Sequence, residues 1–180
     1  MKMSGKSESE AGTAEATLPK DWPLDKLYRK RVAQNRDLTV VIADWNLGRG
    51  SGKTTLAMRL MAHFDRTDDG ITRSKATLSA RELINSYTNE KPGSALLLDE
   101  GQADASNRRS MSGVNEALRK IIGMGRVEQK YLCITAPSVT QVDKSVRNMC
   151  DVWIFVRELG EAQMFRVQYN PFNNHELTHD

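Results

Sequence analysis

The sequence predicts an α/β fold of three layers: a mostly parallel sheet, helices on both faces, and an antiparallel hairpin strand toward the C-terminus. Three observations carry that expectation. Short apolar runs alternate with segments of helical periodicity, the order that builds a parallel sheet covered by its crossover helices. The runs at 38–43, 95–98, 131–134 and 152–156 are almost unbroken in apolar character, as strands buried on both faces are. Finally, a glycine-rich turn joins the first run to a helix-like pattern of Leu56, Leu60, Met61 and Phe64.

Residues 1–20 are mainly Ser, Glu, Gly, Ala, Thr and Lys, with few apolar anchors, and are expected to be a disordered tail. Residues 21–36 carry Lys26, Arg29, Lys30, Arg31 and Arg36, with Leu24, Leu27, Tyr28 and Val32 on one helical face. They read either as a basic linker or arm for DNA or a neighbouring subunit, or as a solvated helix resting on the core. The core domain is expected over 37–170, beginning with a strand at 37–44 and a helix ending near Phe64. A short strand at 76–78 follows, then a helix to about Tyr87 opened by Ser79 and Glu82 at capping-box spacing.

The second long apolar run ends in Leu98-Asp99-Glu100, and a polar loop is expected over 102–112. A helix over 114–124 faces Leu118, Ile121 and Ile122 inward. A strand ending at Thr135-Ala136-Pro137 comes next, then a polar segment with Asp143 and Arg147. The last core strand is expected at 151–156. A turn at 158–161 leads into alternating residues, with Phe165, Val167 and Tyr169 on one side, which predicts an antiparallel edge strand with one wet face. Residues 171–180 are expected to be a polar tail; His175 and His179, four apart, are too little for a metal site.

Composition narrows the class. The chain has 180 residues, enough for one domain with a core but not for two. A formal charge of +3 and a pI near 8.9 permit contact with nucleic acid without demanding it. Cys133 and Cys150, in apolar surroundings, read as buried thiols in a reducing compartment. No apolar run approaches the roughly 18 residues that span a bilayer, and no hydrophobic leader is visible, so a cytoplasmic protein without membrane insertion is expected.

The glycine-rich turn reads Gly48-Arg49-Gly50-Ser51-Gly52-Lys53-Thr54-Thr55. Glycines let backbone N–H groups curl around phosphates with no Cβ in the way, and the following helix N-terminus adds partial positive charge. Lys53 can reach the β- and γ-phosphates, and the Thr54 hydroxyl can ligate Mg²⁺. The first glycine falls at Gly48, one residue late, with Leu47 in the usual place. The bland alternative is a flexible Gly-Ser-Gly turn followed by a helix-start lysine. Asp99 supports the phosphate reading: at a strand end 46 residues beyond Lys53, it can hold Mg²⁺. Glu100 is then placed to activate a water for attack on the γ-phosphate. Thr135 is a candidate sensor for that water or phosphate; alternatively it satisfies a loop amide.

Both motifs come from strands separated by one crossover, the arrangement in which another strand lies between them. This resembles the additional-strand, catalytic-glutamate division of P-loop NTPases. Within it the chain is similar to the FtsK/HerA superfamily of DNA-translocating and genome-packaging ATPases, with Zot-like relatives. The resemblance covers about residues 37–160 and rests on Gly50–Thr54, Leu96–Glu100, the Thr135-Ala136-Pro137 strand end and the segment at 143–147. The superfamily often has a polar residue where Ala136 stands. The resemblance implies ATP and Mg²⁺ as ligands, sequence-independent contact with DNA, and a homo-oligomeric ring, typically a hexamer. In such rings an arginine acts across the subunit boundary; Arg108, Arg109, Arg126 and Arg147 are candidates, with Arg126 favoured because it follows a glycine-loosened helix end. Arg49 could also touch phosphate or a neighbour.

Two other functions fit a phosphate loop. A small-molecule or nucleoside kinase would need an acceptor pocket and an arginine-rich lid, and no lid insertion is evident. An ATP-binding assembly scaffold would not need the Asp99-Glu100 pair.

Overall fold

A computed structural model of the chain describes residues 21–45, 50–99, 107–124, 127–138, 140, 142, 144–168 and 176–179. The expected tails at 1–20 and 171–175 lie outside these.

The first strand, β1 (Leu38–Asp44), is buried along its whole length. It leads through the glycine turn into α2 (Lys53–Phe64), which follows α1 (Pro23–Ala33) in helix order. Ala57, Leu60, Met61 and Phe64 of α2 are buried at helical spacing, giving one apolar stripe toward the sheet. After β2 (Ala76–Thr77), α3 (Ala80–Asn89) and β3 (Ala95–Leu98) come α4 (Asn107–Gly123), β4 (Tyr131–Ala136) and the short α5 (Lys144–Arg147). The chain closes with β5 (Val152–Glu158), β6 (Glu161–Gln168) and β7 (Glu176–His179).

The seven strands are ordered β2-β3-β4-β1-β5-β6-β7. The first five in that order pair in parallel, while β6 and β7 are antiparallel to their neighbours. The strand expected between the two motif strands is β4: it pairs with β1 from Leu38↔Tyr131 to Ala43↔Ala136 and with β3 from Ala95↔Tyr131 to Leu98↔Ile134.

Alternation along these strands divides the core in two. Val41, Ala43, Leu96, Leu98, Leu132 and Ile134 face the layer of α3 and α4, where Leu83, Tyr87, Leu118 and Ile121 meet them. Val40, Ile42, Ala95, Leu97, Tyr131 and Cys133 face α1 and α2. The period-two alternation then sends the residues next along β1, β4 and β3 to the α2 side as well: Asp44, Thr135 and Asp99.

Residues 23–33 form a helix packed on the domain's own core. Leu24, Leu27 and Tyr28 are buried, the Tyr28 ring meets Phe64 edge-on at 4.8 Å, and its hydroxyl donates 3.1 Å to the Phe64 carbonyl at the end of α2. Burial pushes the Tyr28 phenol up to about 12, although nearby Arg66 opposes it.

Four local expectations change. Ser79 is the N-cap of α3, yet its side chain makes no cap hydrogen bond; the helix is held by its backbone, with the Leu83 amide donating 3.0 Å to the Ser79 carbonyl. That helix runs two residues past Tyr87, to Asn89. The expected polar loop at 102–112 is helical from Asn107, where a long α4 overrides the polar composition of its first turn. The expected edge strand β6 is covered: β7 pairs with it from Phe165↔His179 to Gln168↔Glu176, so 176–179 is strand and not tail. Met164 is buried on the α2 side while Phe165 and Val167 pack on the other, so neither face of β6 is wholly wet. Tyr169 lies outside the described residues.

Candidate active site

The site is assembled where β1, β4 and β3 end and α2 begins. Gly50 and Gly52 have φ of +77° and +96°, which L side chains rarely adopt. Gly52 is also the N-cap of α2, and a Cβ there would come within 3.1 Å of Leu159 Cδ1 on the β5–β6 turn. The first turn of α2 carries no acidic residue, so the positive end of the helix is not offset from within it.

Lys53 opens α2 and forms an ion pair with Asp44, whose other carboxylate oxygen accepts the Ser51 hydroxyl. Lys53 Nζ also lies 3.4 Å from Ser51 Oγ. One residue on, Thr54 Oγ1 donates toward Asp99 at 3.1 Å to Oδ1 and 3.0 Å to Oδ2. Thr135 Oγ1, at the end of the intervening strand, donates 2.6 Å to the same Asp99 Oδ1. Thr135 is buried and Thr54 exposed, so the carboxylate bridges the core and the surface of the site.

Of the residues read from sequence, Gly50, Ser51, Gly52, Lys53, Thr54 and Thr55 lie together on the turn and the first turn of α2, and Asp99 and Thr135 are brought to Thr54 from β3 and β4. Gly48, Arg49, Glu100 and Arg126 lie outside the described residues. So do the side chains of Arg108 and Arg109, although both residues belong to α4. Arg147 is half-buried in α5.

Asp44 was not singled out by sequence. The signal was present, as an acid closing a wholly apolar strand next to the glycine turn, but such an acid is equally a common turn residue. Trp45, the next residue, packs its side chain against β5 and β6. Its ring stacks near Phe165 at 6.3 Å and meets Phe155 edge-on at 5.6 Å, and Arg157 sits 5.3 Å from its centre.

The donor set fits Mg²⁺, which selects hard oxygen ligands. Thr54 hydroxyl and Asp99 carboxylate are such donors and already face each other, and they would hold the ion. Among the described residues there is no cluster of three or more His, Cys, Asp and Glu placed to hold a metal ion. No described helix is long and apolar enough to cross a membrane.

Among solved structures, the N-terminal domain of zonular occludens toxin from Neisseria meningitidis is similar to this chain at 15% identity and a TM-score of 0.45, covering 79% of this chain and 95% of that one. No protein-family model and no curated protein matches the sequence.

Proposed function

We propose that the chain is a Mg²⁺-dependent ATPase, hydrolysing ATP to ADP and phosphate, that powers translocation or packaging of nucleic acid for a virus, plasmid or other mobile element. The observation that carries the reading is the convergence of Thr54 and Thr135 on Asp99, beside Lys53 at the N-terminus of α2. Phosphoryl transfer asks the protein mainly for positioning and charge stabilisation, and these are the parts that supply both.

In this reading the backbone of Gly50, Ser51 and Gly52 and the amides of Thr54 and Thr55 surround the phosphates. Lys53 leaves Asp44 to bind the β- and γ-phosphate oxygens. Thr54 and Asp99 hold Mg²⁺, which when bound neutralises charge on the triphosphate. Thr135 keeps the Asp99 carboxylate aimed at Thr54. Glu100 accepts the proton of the attacking water, and an arginine, Arg126 by preference, reaches a neighbour's γ-phosphate in a homo-oligomeric ring. DNA is gripped through its phosphates, with strong salt dependence and little sequence preference.

Phosphate release from Mg·ATP by the purified chain, with no acceptor added and with or without DNA, tests the proposal. Turnover stimulated by DNA and suppressed by salt is expected, together with an ATP-dependent rise in mass in solution. Turnover only in the presence of a small-molecule acceptor would establish the kinase reading instead. Glu100→Gln should retain ATP binding and lose hydrolysis; unchanged hydrolysis would remove Glu100 from the mechanism.

A further inference from the structure

A groove of about 370 Å³ opens beside the first turn of α2, lined by Trp22, Leu56, Ile154, Ala162 and Met164, with Glu161 among its polar lining. Its size lies within the usual range for a small-molecule site, and its wall is mixed: Arg157, Glu161 and Gln163 add polar surface to the apolar side chains, which suits a ligand with both a flat ring and hydroxyl groups.

Position identifies the occupant. Leu56 follows Thr55 directly, so the groove adjoins the end of the phosphate turn. In the sheet, β3 with its Asp99 lies on one side of β1, and β5 and β6 lie on the other. A triphosphate lying along the turn with its terminal phosphate toward Thr54 and Asp99 therefore carries its other end toward β5 and β6. Glu161, at the start of β6, is held by Arg157 at 3.0 Å. Its carboxylate can accept hydrogen bonds from hydroxyl or amine donors, while Trp22, Leu56 and Met164 offer apolar surface to a ring.

We propose that this groove binds the base and ribose of the nucleoside triphosphate whose phosphates occupy the Gly50–Thr55 turn. The inference rests on the phosphate-loop reading of that turn and adds where nucleoside recognition occurs.

Calorimetric titration of Mg·ATP and of Mg·tripolyphosphate separates the two. Tripolyphosphate has the charge but no nucleoside. The wild-type chain should bind ATP at least tenfold more tightly than tripolyphosphate. Ala162→Trp, which fills the groove from an exposed position, should weaken ATP at least tenfold and leave tripolyphosphate within twofold. Trp22→Ala should weaken ATP in the same selective way. ATP and tripolyphosphate binding equally to the wild type, or both variants holding ATP unchanged, overturns the groove while sparing the phosphate turn. Parallel loss of both ligands in both variants also overturns it. If the wild type binds neither ligand, the phosphate-loop reading fails and the groove assignment falls with it.

Discussion

Lys53 and Asp44 are bound as an ion pair across the glycine turn, with side-chain exposures of only 15% and 4%. The carboxylate therefore occupies the partner position that a phosphate oxygen would take on the ammonium. It also places a negative charge beside the path of a polyanion. At the effective dielectric of a partly buried site, one unit charge a few ångströms away is worth a few kcal/mol. Asp44→Asn keeps the size and a hydrogen-bond acceptor for Ser51. It should tighten Mg·ATP binding about tenfold, equivalent to about 1.4 kcal/mol, in a calorimetric titration. Weaker binding would show that Asp44 aims Lys53 at phosphate more than it competes for it.

Thr135 reaches Asp99 from the strand between the two motif strands, at 2.6 Å. Its expected effect is on the metal, since it touches the carboxylate that would hold Mg²⁺. Thr135→Val should raise the Mg²⁺ concentration giving half-maximal turnover by about tenfold, the usual scale for a lost partner of a metal ligand. Thr135→Ser should restore the wild-type value. An effect on nucleotide affinity at saturating Mg²⁺ with no change in the metal requirement would assign Thr135 to phosphate instead.

The connection after α2 is tied by a buried ion pair. Lys75 is fully buried, and its ammonium donates to Asp65 Oδ2 at 2.9 Å, Thr67 Oγ1 at 2.6 Å and the Gly70 carbonyl at 2.6 Å. Asp65 also accepts the Thr67 and Ala95 amides, both at 2.9 Å. Burial alone would raise the Asp65 carboxyl, but the hydrogen bonds from Thr67, Ala95 and Lys75 together outweigh it and hold the group below its ordinary 3.8. With the folded value depressed, its contribution is fully present above the unfolded pKa of about 3.9 and is lost as pH falls through the folded value. Urea melts should show Asp65→Asn less stable at pH 6, with a shallower loss of stability below about pH 4. Lys75→Met, which strands the carboxylate, should cost about 3–5 kcal/mol at pH 6.

The parts of the fold set by apolar patterning are legible in the sequence. Strands such as 38–44 and 95–98 announce themselves because burial on both faces leaves almost no polar residue in the run. The glycine turn and α2 were equally clear, because positive φ and a helical stripe each need particular residues. What stayed hidden depends on tertiary contact. β7 is polar and short, and only the partner strand β6 makes it a strand. Nothing in the sequence around Lys75 and Lys130 marks them as interior, yet both are fully buried because each finds acceptors. Asp44 illustrates the same limit inside the site: its residue type is ordinary, and its position at the end of β1 on the α2 side gives it Ser51 and Lys53 as neighbours. Thr135 was legible as a polar strand end, whereas its partner, the Asp99 carboxylate, was not.

Cys133 offers a probe of the sheet centre. It lies on β4, flanked by β1 and β3, and is fully buried. Burial pushes its thiol up to about 12; the Tyr131 hydrogen bond works against this and the nearby Asp99 charge adds to it. At pH 8 the folded protein therefore holds Cys133 as an inaccessible neutral thiol, and only the thiolate reacts with alkylating agents. In a Cys150→Ala background, labelling of Cys133 should require lifting of the α1 and α2 layer from the sheet face that Cys133 points into, which dismantles half of the core. The opening free energy obtained from the labelling rate should then equal the global unfolding free energy from denaturant melts, and both should rise together on adding Mg·ATP. Labelling much faster than global unfolding permits would mean that α1 or α2 lifts from the sheet in the folded protein. Loss of α2 in that way would carry Lys53 and Thr54 away from Asp44 and Asp99.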